Sequence, residues 1–398
     1  MHRTTLLPAL LLTAVGFAAC GQGNSDGTTS SATAPRGGWD PSTVALLPEE
    51  SPPRGANQFT TDFKRHVVPY REVFSGGVPK DGIPPLYSPG FVDVAEADVW
   101  LEPTQPVLVV EAGDEAKAYP LQVLTRHEIA NDVVGGVPLA VTYCPLCNTG
   151  IAFERTVDGE VVTFGVSGNL RNSNLIMWDS GTETWWQQAT GQGIAGFYAG
   201  FQLKFHPVNL VAWSDFRTNH PDGRVLTGPE GRRPGGYGIN PYTNYDSAPS
   251  PFLYTGPATS GELYTMARVL TIDAVDDAVA YPYQVLQESR VANDSVAGNP
   301  VVVMWQPGTN SALDARLIAA ARDVGSAVAF RRELDGRVLT FEWSGDSVRD
   351  KETGSTWNLL GRATEGSLRG SRLTPEIAVN HLWFSWYAFR PQTRIYRG

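Results

Sequence analysis

The feature that most constrains this chain is an internal repeat, because residues of its first half recur in the same order in its second half. The matched segments are 107–112 with 269–274, 118–124 with 280–286, Asn131-Asp132 with Asn293-Asp294, Asp158-Gly159 with Asp335-Gly336, Ser167-Gly168 with Ser344-Gly345, Trp186 with Trp357, and Trp213 with Trp383. Similarity of this kind is typical of a repeated structural unit. The sequence therefore predicts two tandem lobes that arose by internal duplication.

Each predicted lobe is mainly β, in an α+β arrangement with short helices. Runs such as 107–110 and 139–143 are short, rich in β-branched and aromatic residues, and bounded by Gly, Asp-Gly or Pro. The two Asp-Gly pairs are typical of hairpin turns. Short helices are predicted over 121–127 and 211–219. The alanine-rich segment 314–323 predicts one helix inserted in the second lobe.

The same patterns divide the chain into five segments. They are a lipoprotein signal peptide (1–20), a flexible tether (21–55), the first lobe (56–230, lobe 1), an irregular inter-lobe segment (231–257) and the second lobe (258–398, lobe 2). The tether prediction rests on Gly, Ser, Thr and Asn, which are too polar to form a core. The inter-lobe segment is rich in Gly, Pro and Tyr.

The N-terminus is typical of an exported lipoprotein. Arg3 precedes an apolar run over 6–18, which ends in Phe17-Ala18-Ala19-Cys20 and resembles a bacterial lipobox. Lipidation of Cys20 would make the membrane a partner and place the protein outside the cytoplasm at the cell envelope. An ordinary signal peptide that is cut nearby is the alternative.

Charge and missing motifs exclude several function classes. The formal net charge of −10 over 398 residues argues against non-specific nucleic-acid binding, which needs a basic surface. The chain has no glycine-rich phosphate loop, no Gly-x-Ser-x-Gly and no His-Glu-x-x-His. Hydrolase and nucleotide-binding functions are therefore disfavoured, and a protein or small-molecule partner stays open.

Differences between the two copies point to a candidate site in lobe 1. Residues present in both copies are most simply structural; Asn131-Asp132, for example, is predicted to bond backbone groups in a turn. Three residues with chemical potential occur in lobe 1 alone: His127, Cys144 and Cys147, which become Ser289, Gln306 and Thr309. The aromatic run that follows His381 is interpreted as core. We therefore expect one site, used in one lobe.

The leading hypothesis for this site is a soft metal ion. Cys144-Pro145-Leu146-Cys147 resembles a metal-binding knuckle, and thiolates with an imidazole favour copper or zinc. Cys144, Cys147 and His127 are the predicted ligands, with Met177 as a candidate fourth. An envelope location puts copper before zinc. Whether the protein is an enzyme is left open, with Cys144, Cys147 and Glu128 as candidate catalytic residues.

Two further hypotheses explain the cysteine pair. The first is a thiol–disulfide oxidoreductase, because the Cys-x-x-Cys spacing permits a small-ring disulfide and a nearby imidazolium lowers a thiol pKa. The second is a structural disulfide in a non-catalytic surface interaction module, since disulfides persist in oxidising compartments. A disulfide across two residues constrains the unfolded chain little, which weakens the second.

The chain also resembles a family of bacterial envelope proteins known as domain of unknown function 3179. The residues that carry the resemblance are 81–85, Ala118-Tyr119-Pro120, His127-Glu128-Ile129, Asn131-Asp132, 143–147, 164–168, 177–179, Trp186-Gln187, His220-Pro221 and 383–396. It covers the chain from about Asp81 onward. One departure is Asn148, where a glycine is more typical of the family. The resemblance implies the domain and no established reaction.

Overall fold

Most of the regular secondary structure consists of short strands, and the helices are brief. The computed structural model describes residues 38–230, 236–274 and 276–398. The predicted signal peptide with Cys20, the tether before residue 38, and residues 231–235 and 275 lie outside the described residues. The described α-helices are α1 Val94–Ala97, α2 Leu121–His127, α3 Trp213–Asn219, α4 Tyr283–Ser289 and α5 Trp383–Phe389. The prediction of a mainly β fold with short helices is confirmed.

The first half of the described chain forms three larger sheets and one two-stranded ribbon. In spatial order, the first sheet is Val73–Ser75, Phe164–Arg171, Asn174–Asp179, Trp185–Gln187 and Gln192–Ala195; the second is Phe205–His206, Thr149–Glu154, Val137–Cys144 and Ile129–Val134; the third is Asn209–Ala212, Pro106–Ala112, Glu115–Pro120, Arg224–Pro229 and Pro89–Asp93; the ribbon is Thr156–Val157 with Glu160–Val161.

The second half forms a similar but smaller set. One sheet is Ala378–Leu382, Arg268–Ala274, Asp277–Pro282 and Arg394–Ile395; another is Val291–Val296, Asn299–Gln306 and Ser326–Arg331; a third is Phe341–Ser344, Ser347–Asp350, Thr356–Trp357 and Ala363–Glu365; the ribbon is Glu333–Leu334 with Arg337–Val338. The 3-10 turns of the described chain are Pro41–Thr43, Ala56–Gln58, Tyr70–Glu72, Pro145–Cys147, Tyr245–Ser247 and Ile318–Ala320. Among the described residues, no helix has the length and apolar character needed to cross a bilayer.

Repeated residues make the same contacts in both halves. Tyr119 donates its hydroxyl proton to Asp132 over 2.6 Å, and Tyr281 does the same to Asp294 over 2.8 Å. Both predicted Asp-Gly turns are present; at Asp158-Gly159 the φ angles are 49° and 86°, as a tight hairpin between right-twisted strands requires. These repeated residues therefore hold strands and turns together.

Asn131 also has a structural role, although its predicted position in a turn is wrong. It lies in the strand Ile129–Val134, and its side-chain amide exchanges two hydrogen bonds with the backbone of Phe164, at 2.7 and 2.9 Å. Asn293 does the same with Phe341, at 2.8 and 2.7 Å. The amide ties one sheet to the next, which the sequence pattern does not reveal.

The apolar cores of the two halves interlock. One cluster joins Val107 and Trp213 with Val302 and Trp357. A second cluster joins Cys144 and Cys147 with residues of the segment 379–384 from the other half. All described residues belong to one compact unit, Arg36–Gly398. Each half therefore completes its core with side chains from the other.

The helix predicted over 314–323 is wrong, because this segment contains a single 3-10 turn, Ile318–Ala320. The backbone of this segment bonds residues of the inter-lobe segment instead: Asn240 N donates to Arg316 O at 2.9 Å, and Ile318 N donates to Gly238 O at 3.0 Å. The carboxylate of Asp323 accepts from the backbone N–H groups of Gly308 and Gly325, both at 2.8 Å. Asp314 accepts from Arg322 N at 2.9 Å. Aspartate side chains compete in this way with helix formation.

Residues 38–55, which the sequence assigns to the tether, lie against the folded body. Trp39 N donates to Asp158 Oδ1 at 3.0 Å, and its ring packs edge-on against Phe201 at 5.1 Å. Leu47 N donates to the backbone oxygen of His66 at 2.9 Å. The described part of the inter-lobe segment is irregular apart from the turn Tyr245–Ser247.

Candidate functional site

The cysteine pair lies in the turn of a hairpin. Cys144 is the last residue of the strand Val137–Cys144, and the chain then makes the 3-10 turn Pro145–Cys147. Asn148 follows in the left-handed region with φ 51°, which Asn tolerates better than most side chains. The strand Thr149–Glu154 returns, with Thr149 opposite Cys144. This turn brings both thiols to the same side, and both are buried.

A second hairpin turn directs a carbonyl group at both sulfurs. The Ser173 oxygen lies 3.6 Å from Cys144 Sγ and 3.3 Å from Cys147 Sγ. Asn172 and Ser173 form the two-residue turn between Phe164–Arg171 and Asn174–Asp179, with φ angles of 53° and 63°. The Ser173 hydroxyl donates to Phe252 O at 2.6 Å, which holds the turn in place. Two sulfurs from one turn and a carbonyl oxygen from another turn therefore lie close together.

Aromatic residues of the inter-lobe segment cover this convergence. Tyr245 donates its hydroxyl proton to Leu146 O at 3.0 Å, between the two cysteines, and accepts from Phe252 N at 3.3 Å. Tyr254 packs against Phe384 of the second half, with ring centroids 5.0 Å apart. The apolar cluster around the cysteines includes these rings. The pair is therefore kept away from bulk solvent.

Burial governs the acid–base properties of the pair. It raises the pKa of the Cys144 thiol well above its ordinary value, and a hydrogen bond with the Cys147 thiol raises it further. Both cysteines are free thiols in the structure. Cys144 is therefore protonated at neutral pH, whereas a nucleophilic thiol needs a lowered pKa and an exposed sulfur.

Glu128 lies near the pair and has an unusual backbone. Its φ is 57°, its N–H donates to Leu124 O at the end of α2, and its carbonyl accepts from Tyr143 N. Arg290 has the same conformation at the matching position, so this backbone is part of the fold. Burial raises the pKa of the Glu128 carboxyl, and the charge of a Cys144 thiolate raises it further.

His127, the last residue of α2, makes other contacts. Its Nδ1 lies 2.8 Å from Pro84 O and its Nε2 lies 2.9 Å from Tyr237 Oη. The ring lines a cleft of about 630 Å³ together with Leu86 and Pro229. Among the residues that the structure describes, no three His, Cys, Asp or Glu side chains form a group able to hold a metal ion. The structure thus brings the two cysteines together, whereas His127 is engaged elsewhere.

Met177 shares the apolar cluster of the cysteines. It is fully buried in the strand Asn174–Asp179, opposite Trp186. Leu175, two residues earlier on the same face, also belongs to the cluster, and its backbone hydrogen-bonds with Cys144. The strand that follows the Ser173 turn therefore carries the thioether on the side of the site.

Sequence reasoning missed a polar chain behind the cysteines. Thr149 Oγ1 donates to Cys147 O at 3.2 Å and lies 3.0 Å from Nδ1 of His381, a residue of the second half. Gln188 Nε2 donates to Thr149 O at 3.2 Å and to Thr142 Oγ1 at 3.0 Å. Sequence reasoning also missed Ser173. One signal was available for His381, because its counterpart in the first half is Val211.

Fold and site together define a mainly β protein with a buried Cys-x-x-Cys pair and a covering aromatic segment. The chain belongs to the family described as protein of unknown function (DUF3179), whose model matches residues 80–393. No curated protein and no solved structure matches it. The resemblance inferred from the motifs is thereby confirmed.

Proposed function

We propose that the Cys144–Cys147 pair binds a soft metal ion, copper before zinc, for delivery, storage or a redox step. One observation carries this proposal: two sulfurs and the Ser173 carbonyl oxygen converge from two turns that are held by left-handed residues. Soft thiolates select copper and zinc over hard cations. A preformed set of donors lowers the ordering cost of binding.

The protonated pair sets the pH dependence of binding. A thiolate, not a thiol, is the metal ligand, so the ion must displace the thiol protons. Because burial raises the pKa of Cys144, metal affinity should fall steeply as the pH is lowered. The apolar surroundings favour a complex of low net charge, since isolated charges are costly to bury.

Additional ligands are part of the proposal. Met177 lies in the same apolar cluster and supplies a soft thioether. His127 joins only after it releases its contact with Pro84 or Tyr237. The expected set is therefore both cysteines with Met177 or His127 as a further ligand.

We further propose that the two halves descend from one duplicated unit and that the second half supports the first. The matching contacts of Tyr119 and Tyr281 support this origin. The residue in place of Cys144 is Gln306, which donates to Asp215 Oδ1 at 2.9 Å, so a structural contact takes the position of the thiol. Export and anchoring through Cys20 remain proposals that rest on the N-terminal sequence.

Elemental analysis of the full-length chain tests the metal proposal. We expect about one equivalent of copper or zinc, lost in Cys144→Ser and in Cys147→Ser. The matched control is Thr309→Ser, at the second-half position that corresponds to Cys147. Metal that persists in both cysteine variants would contradict the proposal.

The alternative is a dithiol–disulfide function, favoured by the convergence of both thiols on the Ser173 carbonyl oxygen. Oxidation would join the two sulfurs and pass two electrons and two protons to an external disulfide. Burial of both sulfurs opposes contact with a protein partner. Turnover that survives chelators and needs both cysteines would favour this alternative. If the cysteine variants lose stability and show no loss of metal or turnover, the hypothesis that remains is the non-catalytic interaction module.

A further inference from the structure

A partly open cavity of about 270 Å³ lies where the two halves meet. Thr190, Gln202 and Phe205 line it from the first half, and Val379, His381 and Trp386 line it from the second. Binding sites for small molecules are preferentially found in such concave, mainly apolar places. Its volume is slightly below the usual range for drug-sized ligands, which limits an occupant to a small molecule.

One polar atom in the cavity wall has no protein partner. His381 is only 1% exposed, and its Nδ1 lies 3.0 Å from Thr149 Oγ1. Thr149 uses its own proton on Cys147 O, so Oγ1 accepts the Nδ1 proton and Nε2 carries the lone pair. Within the described parts of the chain, Nε2 makes no hydrogen bond.

The other charged groups at the cavity already satisfy each other. Arg390 Nη2 lies 2.7 Å from Asp273 Oδ2, and both side chains are partly exposed. Burial lowers the pKa of His381 to about 3, so the imidazole is neutral at physiological pH and acts as an acceptor. Nε2 therefore offers a lone pair to the cavity that His381 lines, and a donor of matching geometry would be favoured at this position.

Comparison of the two halves suggests that His381 is not required by the fold. When Trp213 is aligned with Trp383, Val211 is the residue of the first half that corresponds to His381. Val211 is fully buried in its own strand, so an apolar side chain serves the same backbone position. The imidazole is therefore a specific feature of the cavity beside the cysteine turn.

We propose that this cavity binds a small neutral molecule with an apolar body and one O–H or N–H donor, which donates to Nε2 of His381. Phe205, Val379 and Trp386 would cover the apolar body. This ligand site is independent of the proposed metal site, although Thr149 connects His381 to the backbone of Cys147.

Phenol and toluene are suitable probes, because they have nearly the same volume and only phenol has a hydroxyl donor. The full-length chain, labelled with ¹⁵N-histidine, would be titrated with each probe while the Nε2 resonance of His381 is followed by NMR. We expect phenol to shift this resonance and to bind about fivefold to tenfold more tightly than toluene, as one hydrogen bond allows.

His381→Phe removes the acceptor and keeps an aromatic ring, so the preference for phenol should disappear. His206→Phe is the matched control, because His206 lies outside this cavity and bonds Glu111 O. Equal affinity for the two probes in the wild-type chain, or an unchanged His381 resonance, overturns the proposal and means that water satisfies Nε2. These wild-type readings hold even if His381→Phe fails to fold, and none depends on metal.

Discussion

Acid should destabilise this protein through His381, and the effect should be absent from a variant that does not titrate. In the unfolded chain, His381 takes up a proton below its ordinary pKa of 6.5, whereas burial lowers its pKa in the folded chain to about 3. Between these values the unfolded state binds more protons, so stability rises with pH. The stability that depends on a neutral His381 is fully present above pH 6.5 and is lost as the pH falls toward 3.

The size of the effect follows from this difference in pKa. Each pH unit within the window changes the free energy of unfolding by about 1.4 kcal/mol. Lowering the pH from 6.5 to 4 should therefore remove about 3 kcal/mol through this one side chain. That is a large fraction of the stability of a typical domain.

His381→Asn is the variant of choice, because an Asn amide can still donate to Thr149 while it carries no titratable group. Loss of the ring from its contact with Trp386 lowers the stability of the variant at every pH. Its pH dependence should nevertheless be shallower than that of the wild type between pH 6.5 and 4. Urea unfolding of both chains at several pH values measures this difference. Parallel curves, or an NMR titration of His381 near pH 6.5, would refute the reasoning.

Two further predictions compare matched positions of the two halves. Asp132→Asn should cost about 2 to 3 kcal/mol, because it removes a mostly buried partner of Lys117, which keeps its contacts with Glu115 and Val133 O. Asp294→Asn, next to the more exposed Arg394, should cost about 1 kcal/mol or less. Urea unfolding measures both. Gly168→Ala should destabilise the protein far more than Gly345→Ala, although both glycines have positive φ. A Cβ at Gly168 would lie 2.3 Å from Val78 O, whereas a Cβ at Gly345 would have no atom within 4 Å. Equal thermal shifts for the two glycine variants would contradict this comparison.

The sequence predicts local structure well where a residue has one dominant local role. Pro120 followed by the run 121–127 predicts α2 with its observed bounds, and the Asp-Gly pairs predict both hairpin turns. The segment 314–323 misleads because its alanines favour a helix, while its backbone bonds the inter-lobe segment and its aspartates bond other backbone groups. Such long-range competition is invisible in a local pattern.

The candidate site could be predicted only in part for a similar reason. The absence of both cysteines from the matching segment of the second half identifies the pair, and the pair does lie together in one turn. The Ser173 carbonyl is a backbone group, so its role cannot be predicted from the type of residue. His381 comes from a strand far along the chain, and its contact with Thr149 depends on how the two halves interlock.

The most direct test of the central claim is X-ray absorption spectroscopy at the copper and zinc edges on the full-length chain after metal loading. We expect a first coordination shell with two sulfur neighbours, which are lost together with the metal in Cys144→Ser. A shell of nitrogen and oxygen neighbours alone, unchanged by the cysteine substitution, would contradict it. The site would then have to be sought away from this hairpin turn.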